Sequence, residues 1–232
     1  LKNMNKCDII YKRFYSNLLK IINNVYILIM GLLRNQKLLF CHIAKNGGCT
    51  VHKIMEELDN LEFCDKHYSL IMLKKLINND ELFNECLKFC IVRNPWDRMV
   101  STYFFRKSKK ELDFGNIKQW DLDFNNWIKY IYSDEYKNEK NTHCVDVVNY
   151  HFGSSLRWVM DENNNIIADK IIKFENINTE LSDLFNKYGY TDIITKNNST
   201  NHKCYREYYN EESIKLVREN FKEDIEYFKY EF

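Results

Sequence analysis

Glycine and proline are scarce in this chain of 232 residues, which holds six of the first and one of the second. Collagen-like, linker-like and low-complexity architectures are thereby excluded, and each glycine pair or proline becomes informative. An excess of charge of one sign is also lacking. The formal net charge is +1, so no global field draws nucleic acid or an anionic membrane, and any anion site has to be built locally. No C-x-x-C pair occurs among Cys7, Cys41, Cys49, Cys64, Cys86, Cys90, Cys144 and Cys204, which excludes the usual zinc-ribbon and dithiol spacings. Cys41, Cys64 and Cys90 sit in apolar, strand-like runs where a thiol acts as a small hydrophobe. Reduced thiols are the expectation, and a pairing such as Cys144 with Cys204 stays open. A long hydrophobic run is missing as well. Residues 18–33 are apolar but interrupted by Lys20, Asn23 and Asn24, short of the ~20 clean residues that a spanning helix needs. An amphipathic helix packed on the domain is expected there. A weak anchor, tethering the domain to a membrane in a secretory lumen, is the alternative, so a cytoplasmic or a lumenal location stays open.

What is present fits one folded domain: 45% hydrophobic and 29% charged residues exclude a disordered chain. Residues 1–34 form an N-terminal segment and 35–232 the domain proper. Residues 37–43 (KLLFCHI) and 87–92 (LKFCIV) are short apolar runs of the kind buried on both faces of a sheet. The first leads through glycines into a helical pattern over 50–58, the second through Asn94-Pro95 into one reaching Tyr103. Residues 61–64 and 170–174 read as further strands, and 68–77, 121–132 and 211–228 as helices. Strands alternating with helices predict an α/β fold: a single P-loop-like three-layer domain with a mostly parallel central sheet. Ligands then bind beyond the carboxyl ends of the strands, where both turns fall and should share one crevice.

The first turn runs His42-Ile43-Ala44-Lys45-Asn46-Gly47-Gly48-Cys49-Thr50. Its glycines allow close backbone approach, the next helix offers unpaired N–H groups, and Lys45 and Thr50 add a charge and a hydroxyl, all suited to phosphate or sulfate. A plain glycine turn with a solvent-facing lysine is the alternative for this segment alone. It is not a Walker A loop, because the lysine precedes the glycines, and no acidic strand end offers a magnesium ligand, which weighs against a nucleotide kinase. The second turn, Arg93-Asn94-Pro95-Trp96-Asp97-Arg98-Met99-Val100-Ser101-Thr102-Tyr103, places a forked cation at a strand end and a hydroxyl about two helical turns on. Arg98 is open to pairing with Asp97 or with a neighbouring helix.

Together the two segments resemble the sulfotransferases that use 3'-phosphoadenosine 5'-phosphosulfate (PAPS), particularly the carbohydrate group with its Golgi, bacterial and viral members. That family carries P-K-x-G-G-[TS]-[ST] for the 5'-phosphosulfate and R-N-P-x-x-R-x-x-S-x-Y for the 3'-phosphate. The second motif matches through Tyr103. The first departs at Ala44, which should alter the approach of the loop, and at Cys49, which removes one hydroxyl contact. The resemblance continues in residues 172–176 (IKFEN), 205–209 and the tail 224–232. It implies PAPS as cosubstrate, no metal, and Lys45, Asn46, Gly47, Gly48, Cys49, Thr50, Arg93 and Ser101 as donor-binding residues. It further implies a glycan or other hydroxyl acceptor and in-line displacement at sulfur, with Lys45 stabilising the leaving phosphate and His67 as general base. His42 is expected in the core, and His151 and His202 are lesser candidates for the acceptor cleft. Glu175 is expected in a structural ion pair, with the orienting of a loop residue or an active-site lysine as the alternative, and the tail in a packing role. A non-catalytic glycan-binding protein on the same scaffold is the rival of another class. Residues 107–120 and 133–151, where acceptor choice would lie, carry no readable motif.

Overall fold

The computed structural model describes residues 32–33, 37–58, 67–108, 121–136, 152–189 and 203–232. Its sheet has the order β1 (Leu32–Leu33), β2 (Leu38–Cys41), β3 (Leu87–Val92), β4 (Lys170–Lys173). β1 is antiparallel to β2, whereas β2, β3 and β4 are parallel, with Phe40 opposite Phe89 and Ile91 opposite Ile172.

The pleat explains why the apolar runs are continuous. Leu39, Cys41, Cys90, Val92 and Ile171 point to one face and Leu38, Phe40, Phe89, Ile91 and Ile172 to the other. The first face packs on α2 (Leu70–Ile77) and α3 (Asp80–Glu85) and on the aromatic tail at Phe228 and Tyr230. The second is covered by α1 (Gly48–Leu58) and α6 (Ile177–Asn186). A third cluster, rich in aromatics, joins α4 (Pro95–Ser108), α5 (Phe124–Ile131) and α7 (Glu211–Asn220) around Trp96, Trp127 and Phe221. Helices on both faces of a small parallel sheet make the expected α/β architecture.

Local chemistry sets the element ends that matter. Asn94 caps α4: its Oδ1 accepts from the N–H of Trp96 at 3.1 Å, and Pro95 takes the first helical position, where a missing N–H is harmless. Ser69 caps α2 by accepting from Met72 N–H at 3.3 Å, which starts that helix two residues later than the apolar pattern indicates.

The pattern over 211–228 reads as one helix, but the structure breaks it at Phe221, between α7 and α8 (Lys222–Phe228). Phe221 is fully buried in the aromatic cluster, and the bend there accompanies Asp224 turning inward onto residues 154–156. Of the apolar segment 18–33 only Leu32 and Leu33 are described, and they form strand. The strand expected at 61–64, together with His151 and His202, lies outside the described residues. Among the described residues no helix is long and apolar enough to cross a membrane. Cys41, Cys49, Cys86, Cys90 and Cys204 are free thiols.

Phe89 is fully buried in the central strand and meets Phe40 at 5.0 Å and Phe185 at 6.1 Å between ring centroids. Phe89→Ala is expected to destabilise the domain by about 3–5 kcal/mol, read from the shift in a denaturant unfolding curve.

Candidate functional site: two strand-end turns tied together

β2 and β3 are parallel neighbours, so the turns that leave them start side by side, and they are joined by hydrogen bonds. Arg93 donates from Nη1 to the carbonyl of Lys45 at 3.2 Å, and Arg98 from Nε to the carbonyl of Ala44 at 3.1 Å. Asn46 is fully buried, and its Nδ2 donates to the carbonyl of Ile91 at 2.9 Å. The two turns expected to lie together are therefore adjacent.

Within the first turn Lys45 has φ of +66° and Gly47 +84°, both in the left-handed region. For lysine that conformation is uncommon, and it persists where the surroundings hold it. A Cβ on Gly47 would stand 2.9 Å from the Phe174 ring, and one on Gly48 would stand 2.0 Å from Cδ2 of His42. The glycines are thus required by close approach as well as by backbone shape. Among the described residues, the backbone N–H groups of residues 45 to 49 have no protein acceptor; the first that does is Thr50, which donates to the carbonyl of Gly47 at 3.0 Å. They surround the N-terminus of α1, where the helix dipole adds positive potential.

The side chains reinforce that sign. The Lys45 ammonium lies 3.8 Å from the centroid of the half-exposed Phe105 ring. Burial, with the nearby Arg93 and Arg106 charges, pulls Lys45 down to about 8, against an opposing contribution from Cys49. Arg93 is held on three sides: Nε donates to Asp97 at 2.7 Å, Nη1 to Lys45, and the guanidinium stacks 4.3 Å from the centroid of Phe174. Ser101 follows Asp97 by one helical turn, is 4% exposed, and makes no side-chain hydrogen bond to the described residues. Cys49 is exposed and Thr50 half-buried at the start of α1.

His67 stands beside the same turn. Its Nδ1 is 3.1 Å from the carbonyl of His42. A carbonyl only accepts, so Nδ1 carries the proton and Nε2 of the neutral ring holds the lone pair. The His42 ring is 4.3 Å from that of His67 and touches Gly48 on the loop side, while His52 on α1 bonds its Nδ1 at 2.8 Å. His42 is buried, as expected, but it bridges the loop and His67.

Asp97 is taken by Arg93, and Arg98 is buried, donating to the carbonyls of Ala44 and Gly153 and lying 5.8 Å from the centroid of the Phe221 ring between α7 and α8. Glu175 makes no ion pair among the described residues. Its carboxylate accepts from Asn94 N–H at 2.8 Å and from the Tyr230 hydroxyl at 3.3 Å, which fixes the turn between β3 and α4. Phe105 and Ser155 support the site although no motif signalled them, and Phe174 and Asp224, which lie in the segments 172–176 and 224–232, do so in ways that those segments did not specify. Among the described residues no group of three His, Cys, Asp or Glu side chains is arranged to hold a metal ion.

A family model for the sulfotransferase family matches residues 32–231. The chain belongs to the sulfotransferase family. No curated protein and no solved structure matches it. The matched span starts at β1 and so takes in every described strand and both turns.

Gly48→Ala drives a methyl group into the His42 ring. The variant is expected to lose about 1–3 kcal/mol of stability and at least tenfold in anion affinity, read by denaturant unfolding and calorimetry.

Proposed function

We propose that this sulfotransferase moves the sulfuryl group of PAPS to a hydroxyl of a carbohydrate acceptor. The observation that carries the reading is the run of unpartnered backbone N–H groups at residues 45 to 49, beside Lys45 and within reach of a second anion site at Arg93 and Ser101. Two anion-binding groups on adjoining turns suit a nucleotide phosphorylated at both the 5' and 3' positions. The loop amides and Lys45 hold the 5'-phosphosulfate, and Thr50 adds its hydroxyl. The second nitrogen of the Arg93 fork and Ser101 hold the 3'-phosphate.

Chemistry at sulfur then needs three things of the chain. His67 takes the acceptor's proton on Nε2 as the hydroxyl oxygen forms its bond to sulfur, with the tautomer fixed by the His42 carbonyl. The bond between sulfur and the bridging oxygen of the 5'-phosphate breaks, and Lys45 with the loop amides stabilises the charge that gathers there. The close fit of Gly47 on Phe174 and of Gly48 on His42 holds the reacting groups in line. The Asn46 side chain turns inward, which leaves its backbone N–H as its contribution to the donor, and the Ala44 carbonyl is bonded by Arg98.

Two outcomes test this reading. His67→Asn is expected to lower kcat for sulfuryl transfer to a panel of hydroxylated glycans by about 10²–10⁴ while donor affinity stays within twofold. Equal activity in the variant would remove His67 from the chemistry. Donor affinity is also expected to depend on pH through Lys45. The cation is present below its lowered pKa of about 8 and lost above it, so affinity should fall as pH rises from 7.5 to 9.5, and Lys45→Arg should flatten that fall.

A further inference from the structure

The sequence motif places Arg98 one helical turn beyond Asn94, and nothing in its residue type says what it does. In the structure it is a full charge with no solvent exposure. Burial pulls it down to about 10, which still leaves it protonated near neutrality, and Asp224 opposes that shift. Its guanidinium donates to the Ala44 carbonyl at 3.1 Å, to the Gly153 carbonyl at 2.8 Å and to Ser155 Oγ at 3.1 Å. Ser155 is itself 1% exposed and also receives Asn46 Nδ2 at 3.5 Å. Its N–H donates to Asp224 at 2.7 Å, Leu156 N–H donates to the same carboxylate at 3.1 Å, and the Ser154 hydroxyl bonds it too. Asp224 is 1% exposed, so the pair of opposite charges is buried with Ser155 as its hinge.

We propose that the Arg98–Ser155–Asp224 node is the positioning device of the donor loop, fixing which way its backbone N–H groups face. This rests on the reading of that loop as the 5'-phosphosulfate site. In a trans peptide the C=O and the following N–H point in opposite directions, and the chain has no cis bond among its described residues. Drawing the Ala44 carbonyl onto Arg98 therefore turns the Lys45 N–H away from the core. Drawing the Lys45 carbonyl onto Arg93 does the same for Asn46 N–H. Both peptides flanking Lys45 are thus held by arginines, which accounts for a lysine at φ +66°. Asn46 completes the clamp by bonding Ile91 and Ser155 in place of the ligand. The Arg98 bond to the Ala44 carbonyl bears on the 5' loop, whereas on the 3' side Asp97 holds Arg93 directly.

That division supplies the test. Binding of 3'-phosphoadenosine 5'-phosphate and of adenosine 3'-monophosphate is measured by calorimetry for wild type, Arg98→Lys and Ser155→Ala. The second ligand lacks the group that the loop holds. Arg98→Lys is expected to weaken the bisphosphate about tenfold and Ser155→Ala about fivefold, in line with loss of a hydrogen bond to a charged group, while affinity for the 3'-monophosphate changes less than twofold. If Arg98→Lys does not fold, Ser155→Ala carries the test alone, since its N–H bond to Asp224 survives. Equal losses for both ligands, or a folded variant that binds the bisphosphate like wild type, overturn the positioning role. A wild type that binds neither ligand overturns the donor site itself, a failure distinct from the other two.

Discussion

A buried guanidinium has to be surrounded by acceptors, because taking a charge out of water carries a penalty of several kcal/mol even after relaxation. Arg98 meets that demand with oxygens from two separate segments and a buried carboxylate nearby on a third. Its own helix α4, the turn after β2, residues 153–155 and α8 are consequently held in one arrangement. The break at Phe221 adjoins the same network, with the Phe221 ring centroid 5.8 Å from the Arg98 guanidinium and Asp224 on α8 accepting from residues 154–156. Shape at the first turn is thus set from behind, through the Ala44 carbonyl on Arg98.

From the front the same turn is electropositive in a protein whose net charge is only +1. Backbone N–H groups, the α1 dipole, Lys45, Arg93 and Arg106 concentrate positive potential in one place. Asp97 and the Phe174 ring hold Arg93 in one orientation. Preorganisation of this kind matters for sulfuryl transfer, where the protein contributes mainly position and charge stabilisation. The His42 carbonyl fixes the His67 ring and Arg98 fixes the Ala44 carbonyl, so both sides of the turn are held through main-chain oxygens.

Much of this was legible in sequence. The continuous apolar runs of β2 and β3 announce strands buried on both faces, and Asn94-Pro95 announces a capped helix start. The two strand-end motifs announce the family and the adjacency of the two turns. Tertiary partners were not legible. Ser155 and Asp224 lie far from Arg98 along the chain and look like ordinary polar residues, and Phe105 and Phe174 look like core. Glu175 reads as an ion-pair partner because charge suggests a counter-charge, yet a backbone N–H and a tyrosine hydroxyl satisfy it. The helix over 211–228 reads as continuous because periodicity does not register a single buried aromatic at a bend. Asn46 sits in a ligand-binding motif, but its residue type suits a buried clamp as well as a contact, and only packing decides between them.

The central claim is a donor site that takes a nucleotide phosphorylated at both ends. Thermal unfolding with 3'-phosphoadenosine 5'-phosphate, set against ATP with magnesium, tests it most directly, since a ligand that binds the native state must raise its melting temperature. The account predicts a rise with the bisphosphate that Arg93→Ala removes, and little effect of ATP with magnesium. A clear rise with ATP and magnesium, and none with the bisphosphate, would contradict it.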